Sequence, residues 1–364
     1  MNVHDLRTTE CGSLKQCDSQ LQTNDSKKNG NSTEFCRNIF QKMLCCCRKQ
    51  NDTSDSHNCG QENKLSDTKL NSDHSSKRKR NIIGEYEIIK EIGNGHFGVV
   101  YLARPKNSDE QVALKVIKKK ECCHKQLYKI TREHTAWSCV STHPHIVRLI
   151  TFFEINTSFC FVSDYIDGQN LTNFLRNNGP LVEIKANIIA AQVASAIMYI
   201  HDKSEFSKRI IHRDISSNNI MLDDTKGAQL IDFGLCTFDL NPKEFCGTLS
   251  YLCPEILQGK PYDAYCDWWA FGVVLYQMLI GKTPMRIYAK RVMNIEDPKI
   301  FSHTKRIRIA QEVELLYPIQ LSKYARKIIE DLLQKDPSKR LRETDIRRHK
   351  FFDNVPWPEI VHNV

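Results

Sequence analysis

The chain has 364 residues, 40% of them hydrophobic and 26% charged, with only 15 Gly and 12 Pro, which excludes collagen-like, mini-protein and wholly disordered classes. Its formal charge of +9 at pH 7 is modest for this length and does not imply nucleic-acid binding. No stretch reaches the roughly 18 apolar residues of a membrane span, and the strongest run, Trp268 to Ile280, has 13 residues and fits a buried helix. The opening Met-Asn-Val-His-Asp reads as neither a secretory signal nor a myristoylation site, so the 15 cysteines are expected to be reduced thiols in a cytoplasmic protein. None of them is spaced as a C-x2-C zinc pair.

Residues 1–80 hold 19 hydrophobic residues and no Ala, Pro, Trp or Tyr. Burial on that scale does not offset chain entropy, and the segment is expected to be a disordered polar arm. Within it, Phe35, Ile39, Phe40, Met43 and Leu44 precede Cys45, Cys46 and Cys47 and then Arg48-Lys49. That pattern reads either as an acylated, weakly amphipathic membrane anchor or as a plain cysteine-rich stretch. The run Lys77-Arg78-Lys79-Arg80 is open in the same way, between a nuclear-import patch and a solvated linker. From residue 81 the pattern becomes that of a fold.

Alternating apolar residues over Tyr86 to Ile92, Val99 to Ala103 and Gln111 to Ile117 predict three antiparallel strands. A helix is expected around Ile130 to Val140, then strands over Val147 to Glu154 and Phe159 to Tyr165. From Leu181 onward helices dominate, most clearly Ile188 to His201 and Trp268 to Ile280, where apolar residues are too dense for a half-exposed strand. The fold class is therefore α+β: a small β-rich lobe over 81–165 followed by a larger, mainly helical lobe over 166–364.

Ile92-Gly93-Asn94-Gly95-His96-Phe97-Gly98-Val99 lies between two strand patterns. Its backbone can approach a polyphosphate without side-chain obstruction. A dinucleotide fold would need a helix after these glycines, whereas a β-run follows. Lys115, on the third strand, would bring one ammonium beneath that turn. Further along come His212-Arg213-Asp214, Asn219 five residues after the Asp, Asp232-Phe233-Gly234 behind an apolar strand, and Cys253-Pro254-Glu255.

Taken in order, these motifs resemble the eukaryotic protein kinase family over about residues 81 to 360, which implies a bilobal kinase fold, ATP and Mg2+ as cofactors and protein hydroxyls as substrates. The resemblance carries roles over by motif. Asp214 would accept or orient the proton of the attacking hydroxyl, and Asn219 and Asp232 would hold Mg2+. Lys115 would contact the phosphates, fixed by Glu133, or by His134 if the extra residue in Ser141-Thr142 is not counted. Asp164 and Ile166 would offer backbone groups to the adenine beside Ser163, between walls made by Val100, Ala113 and Met221. Glu255 would pair with Arg340, and Asp267 would serve the scaffold.

Within the family, Cys246 to Glu255 and Asp267 to Tyr276 resemble the AGC group, and Thr248 favours serine/threonine chemistry. The sequence ends at Val364 without that group's hydrophobic C-terminal tail, which puts regulation through a tail in doubt. Glu244 stands where AGC relatives carry a phosphorylatable Thr, so a fixed carboxylate would pair with Arg213. Ser216 replaces the catalytic-loop Lys of the serine/threonine members, and Asn218 stands where tyrosine kinases place a compensating Arg. Two functions stay open: a slow serine/threonine kinase, or an ATP-binding pseudokinase acting as a scaffold. Asn170, Asn218, Ser250 and Gln277 occupy the positions where basic-directed relatives carry acids, so selection for substrate arginines should be weak. Phe245, Leu249 and Leu252 would line an apolar pocket for the residue after the phosphoacceptor. A monomer is expected.

Overall fold

The computed structural model describes residues 82–95, 98–119, 124–202, 209–296 and 302–362. The arm over residues 1–80, with Cys45, Cys46, Cys47 and the basic run, lies outside the described residues, as do His96 and Phe97 at the tip of the glycine-rich turn.

Six strands form one sheet in the order β1-β2-β3-β4-β6-β5, with every neighbouring pair antiparallel. They are β1 (Ile82–Ile83), β2 (Tyr86–Gly95), β3 (Gly98–Pro105), β4 (Val112–Lys118), β5 (Leu149–Ile155) and β6 (Ser158–Asp164). The two-residue period of a strand sends β4 two ways. Val112 and Leu114 enter a small core with Ala103, Cys160 and Val162, while Ala113, Lys115 and Ile117 face the opposite side. Helix α1 (His124–Val140) packs on that side, its Ile130, Trp137 and Val140 sharing a core with Ile117 and Phe161. It begins six residues before the stretch that the apolar pattern marks, because Lys125, Gln126 and Lys129 leave its first turns without a continuous apolar stripe.

The remaining elements are mostly helical: α2 (Leu171–Asn178), α3 (Glu183–Asp202), α4 (Pro254–Leu257), α5 (Tyr265–Ile280), α6 (Pro284–Val292), α7 (His303–Glu312), α8 (Lys323–Leu332), α9 (Glu343–Ile346) and α10 (Trp357–His362). Between α3 and α4 run the strands β8 (Ile220–Asp223) and β9 (Gly227–Leu230), which join β7 (Gln169–Asn170) in a second antiparallel sheet. A parallel bridge between Ile146 and Leu230, with the Val147 N–H donating to the Leu230 carbonyl at 3.0 Å, ties β9 to the segment leading into β5. Val147 is committed there, which is why β5 starts at Leu149.

Helix α5 is apolar on every face, and all but two of its residues are buried, which makes it the axis of the helical lobe. It ends where Gly281 takes the left-handed conformation (φ 87°) and donates its N–H to the Gln277 carbonyl. Around it pack α3, with eleven buried residues including five alanines that permit close approach, and α8, capped by Ser322 accepting from the Ala325 N–H.

The charged pair expected between Glu255 and Arg340 is present and fully internal. Arg340 donates to the two Glu255 carboxylate oxygens at 2.8 and 3.1 Å and also to the carbonyls of Tyr265 and Gln334, and its side chain is 0% exposed. Removing one partner of such a pair strands a charge in the interior. Arg340→Ala should therefore cost about 3–5 kcal/mol in a urea denaturation of the full chain, whereas a loss under 1 kcal/mol would show the pair to be solvated in solution.

Candidate active site

Four segments converge on one cleft: the glycine-rich turn, β4, the loop before β8 and the loop after β9. Gly98 makes the turn possible, since at its φ of 142° an added Cβ would sit 2.5 Å from the Val116 carbonyl oxygen. Lys115 projects from β4 and meets Glu133 Oε1 of α1 at 2.7 Å, and its Nζ lies 3.4 Å from Asp232 Oδ1. Glu133 is thus the partner, and His134 instead turns its ring onto Phe152, with centroids 4.6 Å apart. Burial alone would lower the Lys115 pKa, but Asp232 and Glu133 outweigh it and raise it, so the ammonium is retained. The Lys115 charge in turn holds the Asp232 carboxyl below its ordinary value against the opposing effect of burial, helped by the Gly234 N–H at 3.1 Å.

The neighbouring Phe233 explains where Asp232 points. It is fully buried, 5.1 Å from the His212 ring and 5.9 Å from Trp137, so the residue before it is left on the cleft side. Asp232 adopts φ 64° and Arg213 φ 68°, left-handed conformations that cost energy in non-glycine residues and persist where surrounding bonds over-determine them.

Those bonds are visible around the His-Arg-Asp segment. Asp267, in the first turn of α5, accepts from the His212 N–H and the Arg213 N–H, both at 2.8 Å, and from His201 Nε2 at 2.9 Å. It is 1% exposed. Burial works to raise its pKa, yet the hydrogen bond and charge of His201 and the donors above leave it lowered, hence ionised. Asp214 follows. Its Oδ1 accepts from the Thr248 hydroxyl at 2.8 Å and the Thr248 N–H at 3.0 Å, and its Oδ2 accepts from Asn219 Nδ2 at 2.8 Å. With its Nδ2 engaged by Asp214, Asn219 keeps its Oδ1 for another partner. Gly247 lets the segment carrying Thr248 approach this closely, because at its φ of 102° a Cβ would lie 2.5 Å from the Arg213 carbonyl oxygen.

Arg213 donates to the Leu235 carbonyl at 2.6 Å and to the Tyr262 hydroxyl at 3.2 Å, and it pairs with Glu244 at 3.3 Å. Glu244 reaches Lys129 of α1 as well, at 3.5 Å. One carboxylate therefore links the catalytic-loop segment, the segment before Thr248 and α1.

At the back of the cleft, Val100, Ala113 and Met221 are half-buried on β3, β4 and β8. The Asp164 N–H donates to the Arg148 carbonyl and the Ile166 carbonyl accepts from the Gly168 N–H. The Asp164 carbonyl takes one long bond from the Ser163 hydroxyl at 3.4 Å, so its second lone pair and the Ile166 N–H are the groups to meet a heteroaromatic edge. Leu249 and Leu252 line an apolar cavity of about 280 Å³ with Trp269, Val273 and Met285. Phe245 does not line it and is exposed. The sequence reading missed a polar chain beside the loop, in which Ser217 Oγ lies 2.8 Å from the Tyr251 hydroxyl and that hydroxyl donates to Gln277 Oε1 at 2.6 Å. Its signal was the pair Ser216-Ser217 within an otherwise apolar neighbourhood.

A model of the protein kinase domain matches residues 86–352. The chain belongs to the protein kinase family. It is similar to the serine/threonine-protein kinases Sgk1 of Danio rerio, 36% identical over 285 residues, and of Gallus gallus, 35% identical over 287 residues, in agreement with the AGC resemblance. Sgk1 of Oryctolagus cuniculus is 36% identical over 287 residues, and each alignment covers 76% of this chain. The chain spans 62% of the length of these relatives.

The Glu244 bridge has a pH signature. Burial would raise its carboxyl, but Arg213, Lys129 and Arg132 hold it below the ordinary value. A carboxylate with a lower pKa folded than unfolded stabilises above its unfolded value and loses that contribution as pH falls through the folded one. Glu244→Gln should lower the urea midpoint at pH 7, and the gap to the parent should close once the pH is well below the ordinary glutamate value of about 4.3. A gap that is absent at pH 7, or constant with pH, would show that the carboxylate does not bridge.

Proposed function

We propose that the chain is an ATP-dependent serine/threonine protein kinase that transfers the γ-phosphoryl group to protein hydroxyls. The observation that carries this reading is the convergence of Glu133 and Asp232 on Lys115, each within ion-pair distance of its ammonium, with Asp214 and Asn219 hydrogen-bonded to each other and Asn219 tied to the segment carrying Asp232 through the Ile231 N–H. Each member has a role that its surroundings support. Lys115, positioned by Glu133, brings a retained positive charge beneath the glycine-rich turn, where the α- and β-phosphates of ATP would lie. Asp214, steadied by Thr248, orients the attacking hydroxyl and takes its proton. The Asp164 carbonyl and the Ile166 N–H offer one acceptor and one donor to the adenine.

The donor set also fits Mg2+. Asp232 Oδ and Asn219 Oδ1 are hard oxygen donors, and Mg2+ keeps several waters or phosphate oxygens, so two protein ligands suffice. When bound, the ion neutralises charge on the phosphates.

A scaffold function, in which ATP binds without transfer, is favoured by one observation. Ser216 stands where the family's serine/threonine members place Lys, is 0% exposed, and its Oγ has no hydrogen-bond partner. By analogy with deletion of one preorganised donor, the missing ammonium would cost about 2–4 kcal/mol in the transition state, or roughly 10²–10³ in rate. Transfer of labelled phosphate from ATP to a generic serine- and threonine-containing protein decides between the two. The kinase reading expects slow but measurable transfer that Asp232→Ala abolishes. Nucleotide binding with no transfer above the Asp232→Ala background would leave the scaffold.

Substrate choice follows from the same region. Gln277 is neutral and hydrogen-bonded to Tyr251, and Asn170 is spent capping α2 through the Asn173 N–H, so neither offers a carboxylate to a guanidinium. A degenerate serine/threonine peptide library at physiological salt should give little selection for arginine before the acceptor and a preference for an apolar residue after it. Strong arginine selection two or three residues upstream would show that other carboxylates read the substrate.

A further inference from the structure

We propose that a second cavity, behind the catalytic loop, binds an organic phosphate and is coupled to that loop through His201. The cavity measures about 550 Å³ and opens between the end of α3, the start of α5 and α9. None of the residues that form the ATP cleft lines it, and the inference does not rest on phosphoryl transfer.

Its lining carries three guanidinium groups, Arg209, Arg342 and Arg347. All three residues are exposed, and among the described residues none of the three pairs with a carboxylate. Arg347 sets its Nε 3.2 Å from the Met198 sulfur and its guanidinium 5.3 Å from the Trp357 ring, contacts that leave its charge uncompensated. Two carboxylates, Asp202 and Glu343, also face the space, so the balance stays positive. That field is felt by His143 in the same lining, whose pKa is held at about 3 by burial, by His145 and by Arg347. Guanidinium groups pair with phosphate oxygens more strongly than with neutral acceptors. Met198, Tyr265 and Trp268 supply an apolar wall for the body that carries the phosphate, and the volume lies in the range of small-molecule sites.

The second observation is an under-satisfied donor at the base of the cavity. His201 is 2% exposed, and its Nδ1 faces Glu343 Oε2 at 3.6 Å, an ion-pair contact too long for a hydrogen bond. Against the lowering effect of burial, Asp267 and Glu343 together raise the His201 pKa, so Nδ1 is a charged donor with room for a closer acceptor. The other ring nitrogen is bonded to Asp267 Oδ2, the atom that also accepts the His212 N–H. A phosphate oxygen accepting from His201 Nδ1 would fix the imidazole and, through Asp267, the backbone of the catalytic loop.

Calorimetric titration of the full chain with phenyl phosphate in chloride buffer tests the site, with the Arg209→Ala, Arg342→Ala double variant and phenol as controls. Both arginines are exposed, so the variant should melt with the parent. The expected result is one saturable site that excess ATP does not displace, at least tenfold weaker in the double variant and absent with phenol. Hydrogen exchange at the His212 and Arg213 amides should slow when phenyl phosphate is bound. No saturable binding, equal binding by the double variant, or displacement by ATP would overturn the site. Unchanged exchange at those two amides with the site filled would overturn the coupling.

Discussion

One buried carboxylate organises the catalytic centre. Asp267 is ionised inside the helical lobe because three donors, two of them backbone N–H groups of the catalytic loop, converge on its oxygens. Burying an unpaired charge is prohibitive, so the energy that keeps this carboxylate charged is the energy that holds the loop. The loop then accepts a left-handed conformation at Arg213. From that fixed backbone Asp214 points toward Thr248 and Asn219, and the Arg213 side chain reaches Glu244. Because α5 presents Asp267 from its first turn, the rigidity of the most buried helix is transmitted directly to the site.

A second set of contacts joins the sheet to this framework. Lys115 on β4 and Glu133 on α1 form an ion pair in which burial and charge oppose each other, and Asp232 tips the balance toward the charged lysine. Trp137, three residues before the end of the same helix, stacks near both Phe161 and Phe233 and donates to the Val147 carbonyl at 2.7 Å. Helix α1 is therefore held at three places: by charge at Lys115, by aromatic packing at Phe233 and by the Glu244 bridge at Lys129. A displacement of this helix would separate Glu133 from Lys115 and Lys129 from Glu244 together, which makes its position a natural point of control.

The fold was legible where residue pattern and environment coincide. The alternation in β4 and the dense apolar runs of β6, α3 and α5 identified themselves, because each lies against a core, whereas β2 packs only Tyr86 and Ile88 inward and leaves Ile89 and Ile92 exposed. Boundaries failed where polar residues begin an element, as in the first turns of α1, or where a backbone group is used across elements, as at Val147. The short strands β7 and β8 carry too few residues for a period. Among the site residues, the motifs located Lys115, Asp214, Asn219 and Asp232, and the choice between Glu133 and His134 needed coordinates because adjacent helix positions point in different directions. The part played by His201 was invisible in the sequence. A histidine near the end of an apolar helix looks like any core histidine until its two nitrogens are seen between Asp267 and Glu343.

The most direct measurement is on Asp267 itself. Asp267→Asn keeps the volume but turns an amide N–H toward donors that need an acceptor. The account predicts faster hydrogen exchange at the His212 and Arg213 amides, phosphate transfer from ATP to a generic protein reduced at least tenfold, and retained binding of ATP through Lys115. Exchange and transfer equal to those of the parent would contradict the claim that this carboxylate holds the catalytic loop.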